Sequence, residues 1–495
     1  MNSLQVTATR SAARRSVLLS SVIAGTLLAA GCSFIPTYER PAAPVGASFP
    51  TYAGSTDALR SVVVGPAGSG PVASVAWEDL FGDARLKNLI GQALDSNRDL
   101  RVAVLNIELA RAQYGIRRAD QYPTVAAAAS GSRVPGATGS TTSVYRAGLT
   151  VTAYEIDFFG RVASLKEAAL NEYLATEEGR RTTQISLIAA VANAYLSILA
   201  ADELLDITRQ TLVTRDESVR LSKLRFDNGA TSELDFRQAE SLAEAARVAY
   251  AQLQRRRALD ENALTLLVGR PVGDAFPAQD RAPTPLASWQ PMALVPAGLP
   301  SDLLTSRPDI RRAEQLLLAA NANIGAARAA FFPNISLTVG AGSASSQLSG
   351  LFKSGSWGWT LAPQLVLPIF DAGRNQAGLG GARARRDIAV AQYEKAIQSA
   401  FREVADALAF RATLAEELRA IEAQANAEAV RFRLSDLRYR NGVSNYLDLL
   451  DAQRSLFAAR QQVVQTRLAQ LQNQVTLYQA LGGGWTSPGS AERQP

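Results

Sequence analysis

Few side chains in this chain can do covalent chemistry. Its 495 residues include no His and one Cys, Cys32. That removes Cys/His zinc sites, Ser-His-Asp and Cys-His nucleophilic arrangements, and any disulfide within the chain. Two carboxylates are enough for glycoside hydrolysis, so acid–base work by Asp and Glu is what composition still permits. No cofactor and no metal site is expected. The carboxylates with the most distinctive setting follow Asn441-Gly442: Leu447 and Asp448, then Asp451 and Arg454. A matching stretch after Asn228-Gly229 carries Leu234, Asp235, Gln238 and Ser241. Asp448 is matched by Asp235, and an Asp in a helix's first turn favours the dipole and can complete a cap. Asp451 lies beyond the first turn and matches the neutral Gln238. An ion pair with Arg454, three residues on, is the ordinary explanation for an exposed Asp there.

These residues sit in a unit written twice. Leu224-Arg225-Phe226-Asp227-Asn228-Gly229 and Leu437-Arg438-Tyr439-Arg440-Asn441-Gly442 each end a long alanine-rich helical pattern, and a new helix follows almost at once. The offset of 213 holds without a gap from Gly160/Gly373 to Gly269/Gly482. Asp99 and Pro123 match Asp309 and Pro333 at 210. An internal repeat of about 200 residues argues for one architecture in two halves. Gly229 and Gly442 are expected in the left-handed conformation, with Ser232 and Asn445 capping the helices that follow.

In chain order, residues 1–31 read as an export signal. Arg14-Arg15 are its basic region and Val17 to Ala30 its apolar run, too short to span a bilayer as a retained helix. Leu28-Ala29-Ala30-Gly31-Cys32 resembles the bacterial lipobox, which makes Cys32 the acylated first mature residue. Removing Arg10, Arg14 and Arg15 with the signal leaves 48 basic against 45 acidic residues, a net charge of +3. The runs Arg255-Arg256-Arg257 and Arg383-Ala384-Arg385-Arg386 lie in helical patterns and read as solvated helix surface, so no nucleic-acid partner is expected.

Residues 32–76 are rich in Pro, Gly, Ser and Ala and read as a tether. The first repeat is 77–269, with a hairpin at about 124–158. A Pro-rich connector covers 270–306. The second repeat is 307–482, with a hairpin at about 334–370, and 483–495 is a flexible tail. In the hairpins the period is two: Tyr145, Ala147, Leu149 and Val151 alternate with polar or small residues, as do Ile335, Leu337 and Val339, then Trp357, Trp359 and Leu361. That pattern fits a membrane barrel wall or the edge of a soluble sheet. Between Gly160 and Asp227, Ile185, Ile188, Ala192, Tyr195 and Leu199 step by three and four, the period of helices wound around partners. Such a run makes a helix about 100 Å long. Helices of 23 and 37 residues on either side, laid in tandem, match its length. Four strands cannot close a barrel, so a chain that inserts must oligomerise, and three copies give twelve strands.

Taken together these stretches resemble the TolC/OprM outer-membrane factor family, in its lipid-bearing, OprM-like branch. The resemblance covers nearly all the mature chain. It rests on the lipobox, on Trp77-Glu78-Asp79-Leu80-Phe81-Gly82-Asp83, on Glu155-Ile156-Asp157-Phe158-Phe159-Gly160-Arg161 and on Arg307-Pro308-Asp309-Ile310-Arg311. Leu367-Pro368-Ile369-Phe370-Asp371-Ala372-Gly373-Arg374 and the stretch from Asn441 to Arg454 complete it. What the resemblance implies is a mainly α protein with a transmembrane β-barrel. A homotrimer would form a 12-stranded β-barrel in the outer membrane, continuous with an α-helical periplasmic barrel. The implied function is a passive exit duct of a tripartite multidrug efflux system, with a periplasmic adaptor and an inner-membrane resistance-nodulation-division pump as partners. By the same resemblance Tyr439, Leu447, Asp448, Asp451 and Arg454 line or brace a closed periplasmic tip. Asn228, Gly229, Asn441 and Gly442 form the adaptor-docking turns. Ser444 departs from the pattern, where a charged residue is usual. Type I secretion or metal efflux through the same kind of duct stays open. So does a lipid-anchored periplasmic coiled-coil scaffold; an enzyme is the reading with least support.

Overall fold

The computed structural model describes residues 33–50, 76–135, 141–273, 286, 289 and 300–485. Cys32 and the signal, residues 51–75, most of the Pro-rich connector and residues 486–495 lie outside the described residues.

The first repeat holds α1 (Trp77–Leu80), α2 (Ala84–Ser96), α3 (Arg98–Ala119), β1 (Val125–Pro135), β2 (Thr141–Glu155), α4 (Arg161–Asp227) and α5 (Glu233–Val268). The second holds α6 (Pro300–Ser306), α7 (Pro308–Ala329), β3 (Asn334–Ser345), β4 (Trp357–Val366), α8 (Arg374–Arg440) and α9 (Tyr446–Ala480). α4 and α8 have 67 residues each, uninterrupted by Pro. The duplication recurs in backbone angles: φ is +69° and +84° at Gly160 and Gly373, +68° and +70° at Gly229 and Gly442, and +77° and +79° at Gly269 and Gly482. Contacts recur as well. Asn97 Nδ2 donates to Leu267 O at 2.8 Å, and Arg307, its equivalent, donates to Ala480 O at 2.8 Å. In both repeats the residue before the short helix closes the end of the last one.

The chain divides into two compact units that cut across the repeats. The first comprises Met1–Pro41, Ile107–Ala175 and Ala313–Tyr393. Here the two hairpins join into one antiparallel sheet of order β1-β2-β3-β4, with Leu149 opposite Ala127 on one side and Ala341 on the other. β2 bulges between Val151 and Tyr154, where Ala153 takes a φ of +51°. β1 and β4 are edge strands, exposed along their whole length, and β4 carries Trp357, Trp359, Leu361 and Leu365 in the open.

The unit also fixes the start of the supposed tether. Residues 33–41 have no regular structure, as their composition requires, but they are strapped to α7. Phe34 stacks on Phe332 at 4.6 Å, Arg328 donates to Phe34 O and Asn321 to Pro36 O. The Glu314 carboxylate accepts from Tyr38 Oη at 3.0 Å and from Arg40 Nε and an η nitrogen at 2.8 Å each. Absence of a hydrophobic period excludes a helix or strand; it does not exclude such side-chain fastening.

The second unit comprises Ala42–Asn106, Thr176–Arg312 and Glu394–Pro495. Asp83 caps α2 by accepting from the Arg85 and Leu86 amides, and it also accepts from the buried Tyr195 hydroxyl at 3.0 Å. Burial and the Asp83 charge push the Tyr195 pKa up. Ile185, Ile188, Ala192, Tyr195 and Leu199 are all buried, as their spacing predicts. One stretch of α4 is apolar enough to cross a membrane by length and composition, yet most of it is buried within the protein. On α8 the matching stripe is buried at Val404, Leu408 and Leu414, but Val430, Leu434 and Leu437 further on are exposed. The basic runs lie on helices: Arg256 pairs with Asp260 and Arg386 with Asp387 at the surface, whereas Arg257 is mostly buried against Asp202 of α4 and Glu261.

Candidate functional site

Both Asn-Gly turns have the same construction. The Ala230 amide donates to Arg225 O at 2.7 Å and the Gly229 amide to Phe226 O at 2.9 Å. Val443 donates to Arg438 O at 2.9 Å and Gly442 to Tyr439 O at 3.1 Å. This pair of bonds closes a helix on a left-handed residue and satisfies its last carbonyls. Asn228 and Asn441 add side-chain bonds of 2.7 Å back to Leu224 O and Leu437 O. Ser232 and Asn445 then cap α5 and α9, each accepting from the amide of the Asp three residues on. Only the first is a full capping box, because the Asp235 carboxylate returns to Ser232.

Behind the turns lies a shared apolar cluster of Ala239, Leu242, Tyr446, Leu449 and Leu450, with Val219, Phe432 and Tyr439 at its margin. Tyr439 braces it from both sides. Its ring lies 5.4 Å from Tyr446, and Arg225 of the first repeat stacks over it at 4.7 Å. Burial pushes the Tyr446 hydroxyl up to about 12.

α9 is two-faced at this end. Tyr446, Leu449, Leu450, Gln453 and Leu456 are buried, whereas Leu447, Asp448, Asp451 and Arg454 form one exposed stripe. Their spacing of one, three and three residues keeps them on one side of the helix. The four residues picked from the sequence are therefore brought together, and Tyr439 stands apart from them in the cluster. Asp451 does not pair with Arg454. Its carboxylate accepts from Arg431 on α8, which also bonds Glu428 at 3.2 Å. A rule built on neighbours within one helix could not anticipate a partner twenty residues away on another. Arg431 and Arg225 are the functional candidates that sequence reasoning missed. Arg225 left one trace, since Arg also occupies the matching position, Arg438.

A family model described as outer membrane efflux protein matches residues 89–270 and 299–483. The antibiotic efflux pump outer membrane protein ArpC of Pseudomonas putida is 48% identical over 487 residues, covering 96% of this chain and 98% of ArpC. The toluene efflux pump outer membrane protein TtgC of Pseudomonas putida is likewise 48% identical over 487 residues, with the same coverage of 96% and 98%. Among solved structures, the open state of the MtrE outer membrane channel of Neisseria gonorrhoeae superposes with a TM-score of 0.81 at 42% identity, covering 92% of this chain and 99% of that one.

Proposed function

The chain belongs to the outer membrane efflux protein family, and on that premise we propose that it is the exit duct of a tripartite pump for antibiotics and organic solvents. The carrying observation is the match over 96% of the chain to both an antibiotic and a toluene efflux component. Apolar molecules of varied shape call for a passive conduit, because selection belongs to the pump that loads it. The open sheet supports a homotrimer. Two exposed edges of eleven and ten residues invite pairing with further copies, and three copies close twelve strands.

In this reading Cys32 carries acyl chains in the outer membrane. The domains are the lipidated segment 32–76, the repeats 77–269 and 307–482, the connector 270–306 and the tail 483–495. Asn228, Gly229, Asn441 and Gly442 dock a periplasmic adaptor, which joins the duct to a resistance-nodulation-division pump. The stripe Leu447, Asp448, Asp451 and Arg454, braced by Tyr439, lines the closed tip. Threefold repetition turns Leu447 into an apolar constriction and sets three Asp451–Arg431 pairs around it.

The test is deletion of the gene, with susceptibility measured across antibiotics and toluene while pump and adaptor stay intact. Hypersensitivity reversed by the wild-type gene is the expected result; unchanged susceptibility to every compound refutes the reading. Fatty-acid label on the wild type and not on Cys32→Ser tests the anchor separately.

A further inference from the structure

A cavity of about 250 Å³ opens beside the helices above the turns, between α4, α8 and α9. Its polar lining is Gln210, Thr211, Thr214 and Arg215 from α4 with Gln453 and Arg460 from α9; among the described residues no Asp or Glu lines it, and Gln210 donates outward to Asp206 at 2.7 Å. Arg215 is only 4% exposed. One of its η nitrogens donates to Leu242 O at 3.0 Å, and its guanidinium lies 5.0 Å from the Phe457 ring, but Nε has no partner. Neither Arg215 nor Arg460 has a carboxylate partner among the described residues.

A guanidinium keeps its charge even when buried, and a buried charge without a counter-charge is strongly disfavoured. Here the disfavour is compounded, since Arg454 lies close enough to repel Arg215. The equivalent position of the second repeat holds Glu428, which pairs with Arg431, so the site has no counterpart there. The neighbouring carboxylates on α4 are already engaged: Asp216 binds Arg247 and Glu217 binds Arg220. What the cavity lacks is negative charge, since its one unpartnered buried acceptor among the described residues, Gln453 Oε1, is neutral.

We propose that this cavity is a binding site for a small oxyanion, inorganic or carboxylate, held by the guanidinium groups of Arg215 and Arg460, since the Thr211 and Thr214 hydroxyls already donate to Ile207 O and Gln210 O. The volume admits such an ion with a few waters, each of which takes about 30 Å³. Planar guanidinium donors suit oxyanion geometry, and a partly dry setting strengthens the contact. The bound ion ties α4 to α9, the helix that carries Asp451 and Arg454. Anion occupancy thereby stabilises one arrangement of the tip.

The experiment uses the full-length protein, purified in detergent at constant ionic strength in a zwitterionic buffer. Sulfate and acetate are titrated separately by calorimetry, with hydrogen exchange followed over residues 210–218 and 453–460. Saturable sulfate binding that protects these two stretches is expected. Arg215→Gln and Arg460→Gln should each weaken it at least tenfold, Arg215→Lys less, and Arg419→Gln not at all. Tighter binding of sulfate than acetate assigns the site to inorganic oxyanions, and the reverse order to small carboxylates. Binding that fails to saturate, or that persists in Arg460→Gln and a correctly folded Arg215→Gln, overturns the proposal. Should Arg215→Gln not fold, Arg460→Gln decides alone.

Discussion

Gly442 and Gly482 share a backbone angle but not a setting, which allows conformational and steric effects to be separated. Replacing Gly442 by Ala places a Cβ with nothing within 4 Å, so only the left-handed conformation penalises it. That penalty is about 1 kcal/mol. At Gly482 the same Cβ stands 2.9 Å from Ser306 O and 3.3 Å from Arg307 Cα, atoms of the backbone that cannot swing aside. Overpacking of this kind adds about 1–3 kcal/mol, giving a total of about 2–4. It also presses on Arg307, whose buried guanidinium bonds Asp309, Glu403 and Ala480 O. Native-state hydrogen exchange reads each site through the amide that the turn protects, Val443 in one case and Gly483 in the other. One kcal/mol corresponds to about a fivefold loss of protection, so Gly442→Ala should show about that and Gly482→Ala a loss of about thirtyfold or more. Gly442→Asn should cost less than Gly442→Ala, because Asn tolerates the left-handed region. Equal losses for Gly442→Ala and Gly482→Ala would refute the steric part, and an Asn variant as impaired as the Ala variant would refute the conformational part.

Three further outcomes are expected. Asp451→Ala should raise single-channel conductance in planar bilayers and weaken block by multivalent cations from the periplasmic side, while Arg431→Ala, by unmasking Asp451, should strengthen that block; no change in either variant would remove the pair from the pore. Glu314→Ala should release residues 33–41, seen as faster exchange and proteolysis of that stretch, at a cost of about 2 kcal/mol once the half-exposure of Arg40 is discounted. Tyr446 is protonated more firmly when folded, so its contribution is complete below pH 10 and is lost as pH rises towards 12. Tyrosinate absorbance of the wild type minus that of Tyr446→Phe should therefore rise near pH 12, and a rise near pH 10 would contradict the burial.

Much of this architecture is local and therefore legible in the sequence. The helices reveal themselves by period and by the lack of Pro, the corners by Asn-Gly, and the caps by Ser232 and Asn445. The α9 stripe follows as well, once Tyr446, Leu449 and Leu450 are taken as its buried face. What escaped is long-range. Nothing in the tether's composition points to Glu314 some 270 residues away, and Arg431 stands on a different helix from Asp451. The Arg215 cavity is hidden for the same reason, since an isolated Arg in a helix normally reaches water. The exposed strand edges lie between these cases: their alternation was visible, but a single sequence left barrel wall and soluble edge equally open.

The duplication also makes the chain its own record of descent. The two copies agree at Gly229 and Gly442, where the left-handed conformation favours glycine. Where they disagree, charge changes at several positions. Ser218 and Gln238 of one copy correspond to Arg431 and Asp451 of the other, a neutral couple against a charged one. Asp451 relies on Arg431 for its partner, whereas Arg431 also bonds Glu428. Arg215 against Glu428 is a reversal of sign at a single ancestral position. The two corners, alike in backbone, present different side-chain chemistry to whatever meets them.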